Sequence, residues 1–197
     1  DGFLGFDPAA LRERFLAHLP DSDVVVLSDY HKGALQGIEN LIGAARAAGK
    51  PVLVDPKGRD FGRYRGATLL TPNLAEFETV VGPCRDPGAL ADRGETLRQE
   101  LELEALLITR GEQGMTLLRA GTEPLQLAAR AREVYDVTGA GDTVIATLAA
   151  GLAAGLNLPA ATFLANLAAG IVVGKLGAAS VTVSELRRAL YEHEEPP

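Results

Sequence analysis

Short apolar runs that recur between helix-like segments constrain the fold of this chain most strongly. Four such runs occupy residues 24–27, 52–54, 67–70 and 106–108. A continuous apolar run of this length is typical of a strand buried on both faces of a sheet. Because helical patterns separate the runs, the chain should form a parallel sheet with right-handed crossovers and helices on both faces. The sequence therefore predicts an α/β fold.

The spacing of apolar residues and of helix-breaking residues predicts the remaining elements. A first helix should begin at Asp7-Pro8, an N-cap followed by a proline, and should end at Pro20. Two further strands joined by a turn are expected at residues 115–118 and 125–127. Further helices are expected at residues 34–48, 74–81, 87–101, 144–156, 159–175 and 184–191. A chain of 197 residues is long enough to form one domain with a sizeable core.

Composition and charge exclude several classes of protein. Hydrophobic residues make up 47% and charged residues 23%, the balance of a soluble globular protein. The net charge of -7 argues against a general nucleic-acid surface, and no apolar run reaches membrane-spanning length. The single Cys84 cannot form an internal disulfide and fits a reducing compartment. We therefore expect a cytoplasmic protein with no nucleic-acid partner and no membrane segment.

Several catalytic classes are also disfavoured by the sequence. The three histidines are scattered without metal-ligand spacing, which argues against a zinc site. The serines lack the context of a nucleophile elbow, which argues against an acyl hydrolase. No Gly-x-x-x-x-Gly-Lys-Ser/Thr run is present, so the chain is not a P-loop nucleotide-binding protein.

A glycine-rich turn leads into the Ala-rich helix predicted at residues 144–156. Residues 136–143 read DVTGAGDT, with Asp142 directly after the second glycine. Free backbone N–H groups and the helix dipole make such a turn suitable for binding an anion. In the first helical turn, Asp142 could simply cap the helix. Beside an anion site, it could instead be the general base of a phosphoryl transfer to a hydroxyl.

Each of the four predicted buried strands ends at a polar cluster. The clusters are Asp29 with Lys32, Asp55 with Lys57, Asn73 with Glu76, and Thr109 with Arg110 and Gly111. In an open parallel sheet, ligands bind beyond the carboxyl ends of the strands, so together the clusters favour a charged-ligand site near the glycine-rich turn. Polar residues also flank strands simply because turns need them, and this alternative stays open for each single cluster.

Three of these polar regions have a specific pattern. Asn73 and Glu76 form nearly a capping box, and Glu76 could alternatively order water around Mg²⁺. Gly111 and Gly114 follow a strand, where they could let the backbone approach a ligand or form a plain tight turn. Lys57 also belongs to a basic group, with Arg59, Arg63 and Arg65, that could be a solvated loop or meet a substrate phosphate.

The motifs resemble those of the ribokinase-like (PfkB) carbohydrate kinases. DVTGAGDT at residues 136–143 is similar to the family's C-terminal signature, and Asn73-x-x-Glu76 and Thr109-x-Gly111-x-x-Gly114 follow the family's order. Longer stretches resemble the heptose-7-phosphate kinase branch, which is the kinase part of bifunctional ADP-heptose synthases. These stretches are LSDYHKG from residue 27, VDPKG from 54, YRGATLLTPNLAE from 64 and VYDVTGAGDT from 134.

The resemblance implies a ribokinase-like three-layer α/β/α fold with a mostly parallel sheet. It also implies ATP-dependent phosphorylation of the anomeric hydroxyl of D-glycero-β-D-manno-heptose 7-phosphate, which gives the 1,7-bisphosphate used for lipopolysaccharide core heptose. ATP and Mg²⁺ would be the cofactors, the sugar phosphate the substrate, and a homodimer the expected state of the full-length enzyme. Two alternatives remain: another PfkB-type sugar or nucleoside kinase, or a non-catalytic nucleotide-binding fragment.

By the same resemblance, each matching residue has an expected role. Asp142 would deprotonate the sugar hydroxyl, and the N–H groups of Gly139, Ala140 and Gly141 would stabilise the transferring phosphoryl group. The expected nucleotide-binding residues are Asn73, Leu74, Ala75, Glu76, Thr109, Gly111, Gly114, Asn166 and Lys57. Glu76 would hold Mg²⁺ through water. Asp29 and Lys32 are expected to contact the sugar substrate.

The sequence also departs from the family pattern. Family members carry a substantial N-terminal portion, with a glycine-rich sugar-binding segment and the strands of a lid, and no counterpart of it is found in this sequence. Residues 1–197 are therefore expected to be one domain, the C-terminal nucleotide-binding portion of a sugar kinase. Because the sugar-binding segment and the lid belong to that N-terminal portion, we expect most of the sugar contacts and the lid to lie outside these residues. Such enzymes use closure of the lid to suppress wasteful hydrolysis.

Overall fold

The computed structural model describes residues 7–130 and 135–194. Within these ranges, the strands are β1 (Val25–Ser28), β2 (Val52–Asp55), β3 (Leu69–Leu70), β4 (Ala105–Thr109), β5 (Met115–Arg119) and β6 (Leu125–Leu127). The helices of the same ranges are α1 (Pro8–His18), α2 (Ile38–Ala47), α3 (Leu74–Val81), α4 (Pro87–Glu100), α5 (Ala140–Ala153), α6 (Leu158–Val173) and α7 (Val183–Glu194). Short 3-10 turns lie at Leu19–Asp21, Gly62–Tyr64 and Gly111–Gln113.

The strands form one sheet in the order β1-β2-β3-β4-β5-β6. The pairs β1–β2, β2–β3 and β3–β4 are parallel, with Leu27 opposite Val54 and Leu70 opposite Leu106. Because each parallel pair needs a crossover, α2 lies between β1 and β2 along the chain, and α3 and α4 lie between β3 and β4. The predicted α/β fold with a mostly parallel sheet is therefore confirmed.

The chain groups into two compact units. Unit 1 comprises Asp1–Ile108 and Leu117–Pro124, and unit 2 comprises Thr109–Thr116 and Leu125–Pro197. The core of unit 1 includes the fully buried rings of Phe61, Tyr64 and Phe77. In unit 2, α5 packs against α6, and α6 also contacts α7. The single domain expected over residues 1–197 stays a prediction.

Several expectations from the sequence differ from the structure, and two of the differences have a clear physical reason. Val26 is 41% exposed, so β1, the first strand in the order, is not buried on both faces as its apolar run predicted. Helix α2 begins at Ile38 rather than at residue 34. Gly33 and Gly37 have φ angles of 90° and 72°, and this left-handed backbone excludes a continuous helix before Ile38.

Other expectations agree closely with the structure. Helix α3 has the predicted bounds, and so does strand β6. Asp7 is the N-cap of α1, and its side chain accepts the N–H of Ala9. Within the described parts of the chain, no helix combines the length and the apolar character that crossing a membrane requires.

Candidate functional site

The glycine-rich turn before α5 supplies the first part of the candidate site, and it lies in unit 2. Gly139 is the N-cap of α5 and has φ 78° and ψ 3°, a left-handed conformation that glycine adopts without steric cost. The Asp136 carboxylate accepts the N–H of Thr138 at 2.8 Å, which fixes the turn. A Cβ built on Gly139 or Gly141 would meet no atom within 4 Å. Open space therefore lies in front of both glycines.

The backbone N–H groups of this turn are not all available. The N–H of Ala140 is donated to the carbonyl of Val137 at 3.2 Å, and that of Thr143 to the carbonyl of Gly139 at 2.9 Å. Within the described ranges, the N–H groups of Gly139 and Gly141 have no backbone acceptor. Two of the three amides expected to bind an anion are therefore open, and the Ala140 amide is used inside the turn.

Asp142 is the third residue of α5. Its side chain is exposed rather than buried in the core. An exposed carboxylate beside the glycine-rich turn could serve as a general base for a substrate bound at that turn. The position suits a helix-stabilising acid as well, so the structure leaves both interpretations of Asp142 in place.

A cleft of about 480 Å³ brings most of the unit 2 candidates together. The predicted residues that line it are Thr109, Gly111, Gly114, Ala140, Gly141 and Asn166. Much of the remaining wall is apolar, with Met115, Val144 and Val173. An apolar cleft with a few placed polar groups is the usual form of a small-molecule site. Its lining joins the glycine-rich turn to the loop that follows β4.

Glycine at position 114 is required by the fold itself. Gly114 has φ 82°, and a Cβ at this position would lie 1.9 Å from the backbone oxygen of Leu127. The loop is closed by the N–H of Arg110, donated to the Gly114 carbonyl at 2.7 Å. The alternative of a tight turn is thus realised here, and the same turn forms part of the cleft wall.

Asn166 links α6 to the segment after β6. Its side chain is only 4% exposed, and its Nδ2 donates to the carbonyl of Ala128 at 2.8 Å. A buried amide needs such a partner, because an unsatisfied polar group in the core is costly. Asn166 therefore holds one wall of the cleft in place while lining it.

In unit 1, Asn73 and Glu76 form a complete capping box at the start of α3. The Asn73 side chain accepts the N–H of Glu76 at 2.9 Å, and Glu76 Oε2 accepts the N–H of Asn73 at 3.0 Å. Leu74 and Ala75 lie between them in the first turn of the helix. The capping alternative is therefore realised, and it fixes the Glu76 carboxylate at the end of the loop after β3.

Lys57 is the partner of the other Glu76 oxygen. Its Nζ lies 2.5 Å from Glu76 Oε1, with the lysine side chain 52% exposed and the glutamate side chain 15% exposed. The hydrogen bond to Glu76 raises the pKa of Lys57, so the ammonium stays charged. The structure thus brings two of the predicted clusters of unit 1 together, because one follows β2 and the other follows β3.

Asp29 is a buried carboxylate at the end of β1. It is 5% exposed and accepts the hydroxyl of Tyr64 at 2.8 Å and the N–H of His31 at 2.8 Å. Arg63 Nη1 lies 3.5 Å from the same carboxylate. Asp29 therefore serves the packing of unit 1, and its contact with a sugar stays a prediction. Lys32, the other residue expected at the sugar, is exposed.

The predicted basic group is mostly engaged within the protein, and its members are Lys57, Arg59, Arg63 and Arg65. Arg63 also donates to the carbonyl of Leu35, and Arg65 Nη2 lies 2.6 Å from Glu102. Together with the pairing of Lys57, these contacts give three of the four basic side chains a partner within the protein, although Lys57, Arg59 and Arg65 are exposed.

Mg²⁺ usually keeps several waters and is held by one or two carboxylates together with substrate phosphates. Glu76 supplies a carboxylate of this kind, and so it fits a hydrated ion held through water. Within the described residues, no group of three or more His, Cys, Asp or Glu side chains could enclose a metal ion directly. A site made only of protein ligands is therefore not found there.

Tyr64 is the site residue that sequence reasoning missed. It is fully buried, and its hydroxyl contacts both Asp29 and Lys57. Its only signal in the sequence is that it begins the stretch YRGATLLTPNLAE, because its partners lie 35 and 7 residues away along the chain.

Comparison with known protein families shows which family the chain belongs to. The model of the pfkB family carbohydrate kinases matches residues 6–185. The chain belongs to the pfkB family of carbohydrate kinases. The family resemblance predicted from the glycine-rich turn and the two shorter motifs is therefore confirmed.

Curated relatives within this family are similar to the chain at high sequence identity. The chain is 65% identical over 195 residues to the bifunctional protein HldE of Alkalilimnicola ehrlichii, which covers 99% of the chain and 41% of that protein. It is 62% identical over 185 residues to the bifunctional protein HldE of Chromohalobacter salexigens, which covers 94% of the chain and 39% of that protein. The chain thus spans about two fifths of the length of these relatives.

Solved structures share the fold at low sequence identity. A ribokinase of Arabidopsis thaliana complexed with ribose and ATP matches with a TM-score of 0.80 at 24% identity, over 90% of this chain and 59% of that one. Phosphofructokinase-2 of Escherichia coli, in complex with potassium, matches with a TM-score of 0.82 at 17% identity, over 98% and 64%. The predicted ribokinase-like fold is therefore confirmed.

Proposed function

We propose that this chain is the nucleotide-binding portion of an ATP-dependent kinase for D-glycero-β-D-manno-heptose 7-phosphate. The product would be the 1,7-bisphosphate, a precursor of ADP-heptose and lipopolysaccharide core heptose. The observation that carries the proposal is the unit 2 cleft, which runs up to Gly141 and the open start of α5. The relatives named bifunctional protein HldE agree with the heptose branch that the sequence stretches resemble.

The proposed chemistry is a direct transfer of the γ-phosphoryl group. The anomeric oxygen forms a bond to the γ-phosphorus while the bond from that phosphorus to the bridging oxygen of ADP breaks. The Asp142 carboxylate takes the proton of the sugar hydroxyl as general base. The open N–H groups of Gly139 and Gly141 donate to the phosphoryl oxygens, where negative charge is held during the transfer.

The nucleotide is proposed to lie in the unit 2 cleft. Thr109, Gly111 and Gly114 line this cleft, and Asn166 lines it too while holding the segment next to Gly114 through its bond to Ala128. The apolar side chains of Met115, Val144 and Val173 suit a nucleobase, which binds mainly by its flat faces. Proximity supplies much of the rate, because the cleft would hold the phosphate chain at the start of α5.

In unit 1, Glu76 and Lys57 are proposed to serve the phosphate groups. Glu76 would hold a hydrated Mg²⁺, which neutralises phosphate charge when it is bound. Lys57 keeps its ammonium charged and half-exposed, so it is proposed to contact a substrate phosphate. Asp29 and Lys32 remain proposed contacts of the sugar substrate. A cytoplasmic location and a homodimer of the full-length enzyme belong to the same proposal.

The test is ADP release by the protein as its gene encodes it, with heptose 7-phosphate, ribose and fructose phosphates as acceptors. We expect transfer to heptose 7-phosphate with the highest kcat/KM. A preference for another sugar would instead identify a different PfkB-type kinase. Binding of ATP without release of ADP for any acceptor would favour a non-catalytic nucleotide-binding module.

A further inference from the structure

The hydroxyl of Tyr64 lies at a junction between two strand ends of unit 1. It donates to Asp29 Oδ2 at 2.8 Å and accepts the backbone N–H of Lys57 at 3.1 Å. Asp29 directly follows β1, and Lys57 is two residues beyond β2. One phenol thus ties together the loops that leave two neighbouring parallel strands.

The ring of Tyr64 is held so that this hydroxyl cannot easily move. The side chain is fully buried, Phe61 packs edge-on with ring centroids 5.8 Å apart, and the Arg63 guanidinium carbon lies 5.7 Å from the ring centroid. Burial raises the pKa of Tyr64, so the hydroxyl keeps its proton. It therefore remains a donor to Asp29 and an acceptor for Lys57 throughout the neutral pH range.

Lys57 is consequently fixed at both ends. Its backbone N–H is held by Tyr64, and its Nζ is held by Glu76 at 2.5 Å. Glu76 is itself held by the backbone N–H of Asn73. A long lysine side chain normally loses rotamer freedom when it binds a ligand, and a lysine that is already ordered avoids much of that entropic cost.

We infer that Tyr64 is a positioning residue that holds Lys57 ready to contact a substrate phosphate. The inference rests on the proposed function, in which the half-exposed Lys57 ammonium meets a phosphate group. The phosphate belongs either to the nucleotide or to the sugar. Tyr64 touches neither substrate and acts through Lys57 alone.

A double-mutant cycle in the full protein tests this role. Tyr64→Phe keeps the ring and removes the hydroxyl, and it should raise the KM for one phosphate substrate roughly three- to tenfold while kcat changes less. Lys57→Met should raise the same KM at least as much. Adding Tyr64→Phe to Lys57→Met should then have no further effect, because the residue that Tyr64 positions is gone.

The substrate whose KM rises identifies the source of the phosphate, so KM is measured for ATP and for the sugar phosphate separately. If Tyr64→Phe raises KM by the same factor with Lys57 present and with Lys57→Met, Tyr64 acts only on folding and the inference is overturned. An unchanged KM in Tyr64→Phe would also overturn it. Tyr191→Phe removes an exposed hydroxyl on α7 and is the matched control, with both KM values unchanged.

Two further measurements keep the test decisive. If Tyr64→Phe does not fold, Phe61→Leu loosens the packing of the Tyr64 ring while keeping its hydroxyl, and it should raise the same KM only when Lys57 is present. If the unmodified protein releases no ADP, the proposed function fails, and the cycle is measured as Kd for ATP and for the sugar phosphate by calorimetry. Additive effects on Kd, or no binding of either ligand, would overturn the positioning role as well.

Discussion

The starts of α3 and α5 make a close comparison, because each helix carries an acid as its third residue. At α3, the N-cap Asn73 accepts the N–H of Glu76, and Glu76 reaches back to the N–H of Asn73. At α5, the N-cap is Gly139, which has no side chain to accept a hydrogen bond. At α3 the N–H groups of the N-cap and of the third helical residue are therefore bonded by side chains of the helix start itself. At α5 the N-cap N–H of Gly139 has no backbone acceptor within the described ranges.

A third helix extends the comparison. At α7, Thr182 accepts the N–H of Glu185, and Glu185 accepts the N–H of Thr182 at 2.8 Å. The same spacing of an acid after a helix start thus gives a cap when a polar N-cap is present. What distinguishes α5 is the glycine at its N-cap, and this glycine keeps the helix start available for an anion.

The largest effect is expected from Asp142→Asn. If Asp142 is the general base rather than a cap, turnover should fall roughly 10² to 10⁴-fold, while ATP affinity and the melting temperature stay nearly unchanged. ADP release at saturating substrate measures this effect. The exposed Asp92 of α4 provides the matched control, since Asp92→Asn should keep full turnover. Normal turnover of Asp142→Asn would place Asp142 with Glu185 as a helix-stabilising acid.

Gly114→Ala should have the largest effect on stability. The new methyl would lie 1.9 Å from the Leu127 oxygen on a backbone with φ 82°. Overpacking together with the left-handed backbone should lower the free energy of unfolding by about 3 kcal/mol or more. Chemical denaturation measures this change. A variant as stable as the unmodified protein would show that β6 can move away from this loop.

Gly141→Ala should lower activity with little effect on stability, in contrast to Gly114→Ala. No atom lies within 4 Å of the added methyl, and the backbone here is already helical, so stability should change by no more than about 1 kcal/mol. The methyl should nevertheless occupy the space proposed for the phosphoryl group and lower kcat/KM roughly 10²-fold. Denaturation and ADP release measured on one sample separate the two effects. Unchanged kcat/KM would mean that no substrate approaches Gly141.

The smallest effect is expected on stability, from Glu185→Gln at the start of α7. Contacts with Lys175 and Thr182 lower the pKa of Glu185 to about 2, from an ordinary value of 4.5. A carboxylate with a lowered pKa stabilises the fold above its unfolded pKa and loses this contribution as pH falls through its folded pKa. The advantage of the unmodified protein over Glu185→Gln should therefore be full above pH 4.5 and should shrink as pH falls toward about 2.

Melting temperatures measured across this pH range test the expectation. Lys175 is the largest cause of the lowered pKa of Glu185. When Lys175 is replaced by Met, the stability difference caused by Glu185→Gln should therefore change over a narrower range of pH. A difference between the two proteins that is independent of pH would show that Glu185 acts by packing rather than by charge.

Local sequence signals predicted much of the fold. The bounds of α3 follow from Asn73 at its start and Gly82 at its end, and both act within one helical turn. The exposure of Val26 could not be predicted, because it depends on where β1 lies in the strand order. An apolar run has the same local pattern in the middle of a sheet and at its end.

The candidate site likewise has parts that local sequence predicts and parts that it does not. The glycine spacing predicts a turn before α5 and another at Gly111 and Gly114, and the structure brings both turns to one cleft. The Lys57–Glu76 pair and the role of Tyr64 required tertiary contacts between separate strand ends, which no local pattern encodes. The sequence also could not decide between capping and function for Glu76, since both use the same residues.

The most direct test of the open helix start is the NMR response of its amides to ATP with Mg²⁺ in glycine-labelled protein. We predict that the Gly139 and Gly141 amide signals shift strongly as the nucleotide saturates, because phosphate oxygens accept their N–H groups. Gly43, exposed on α2, should keep its signal. Saturation with nucleotide while the Gly139 and Gly141 amide signals stay unchanged would contradict the account.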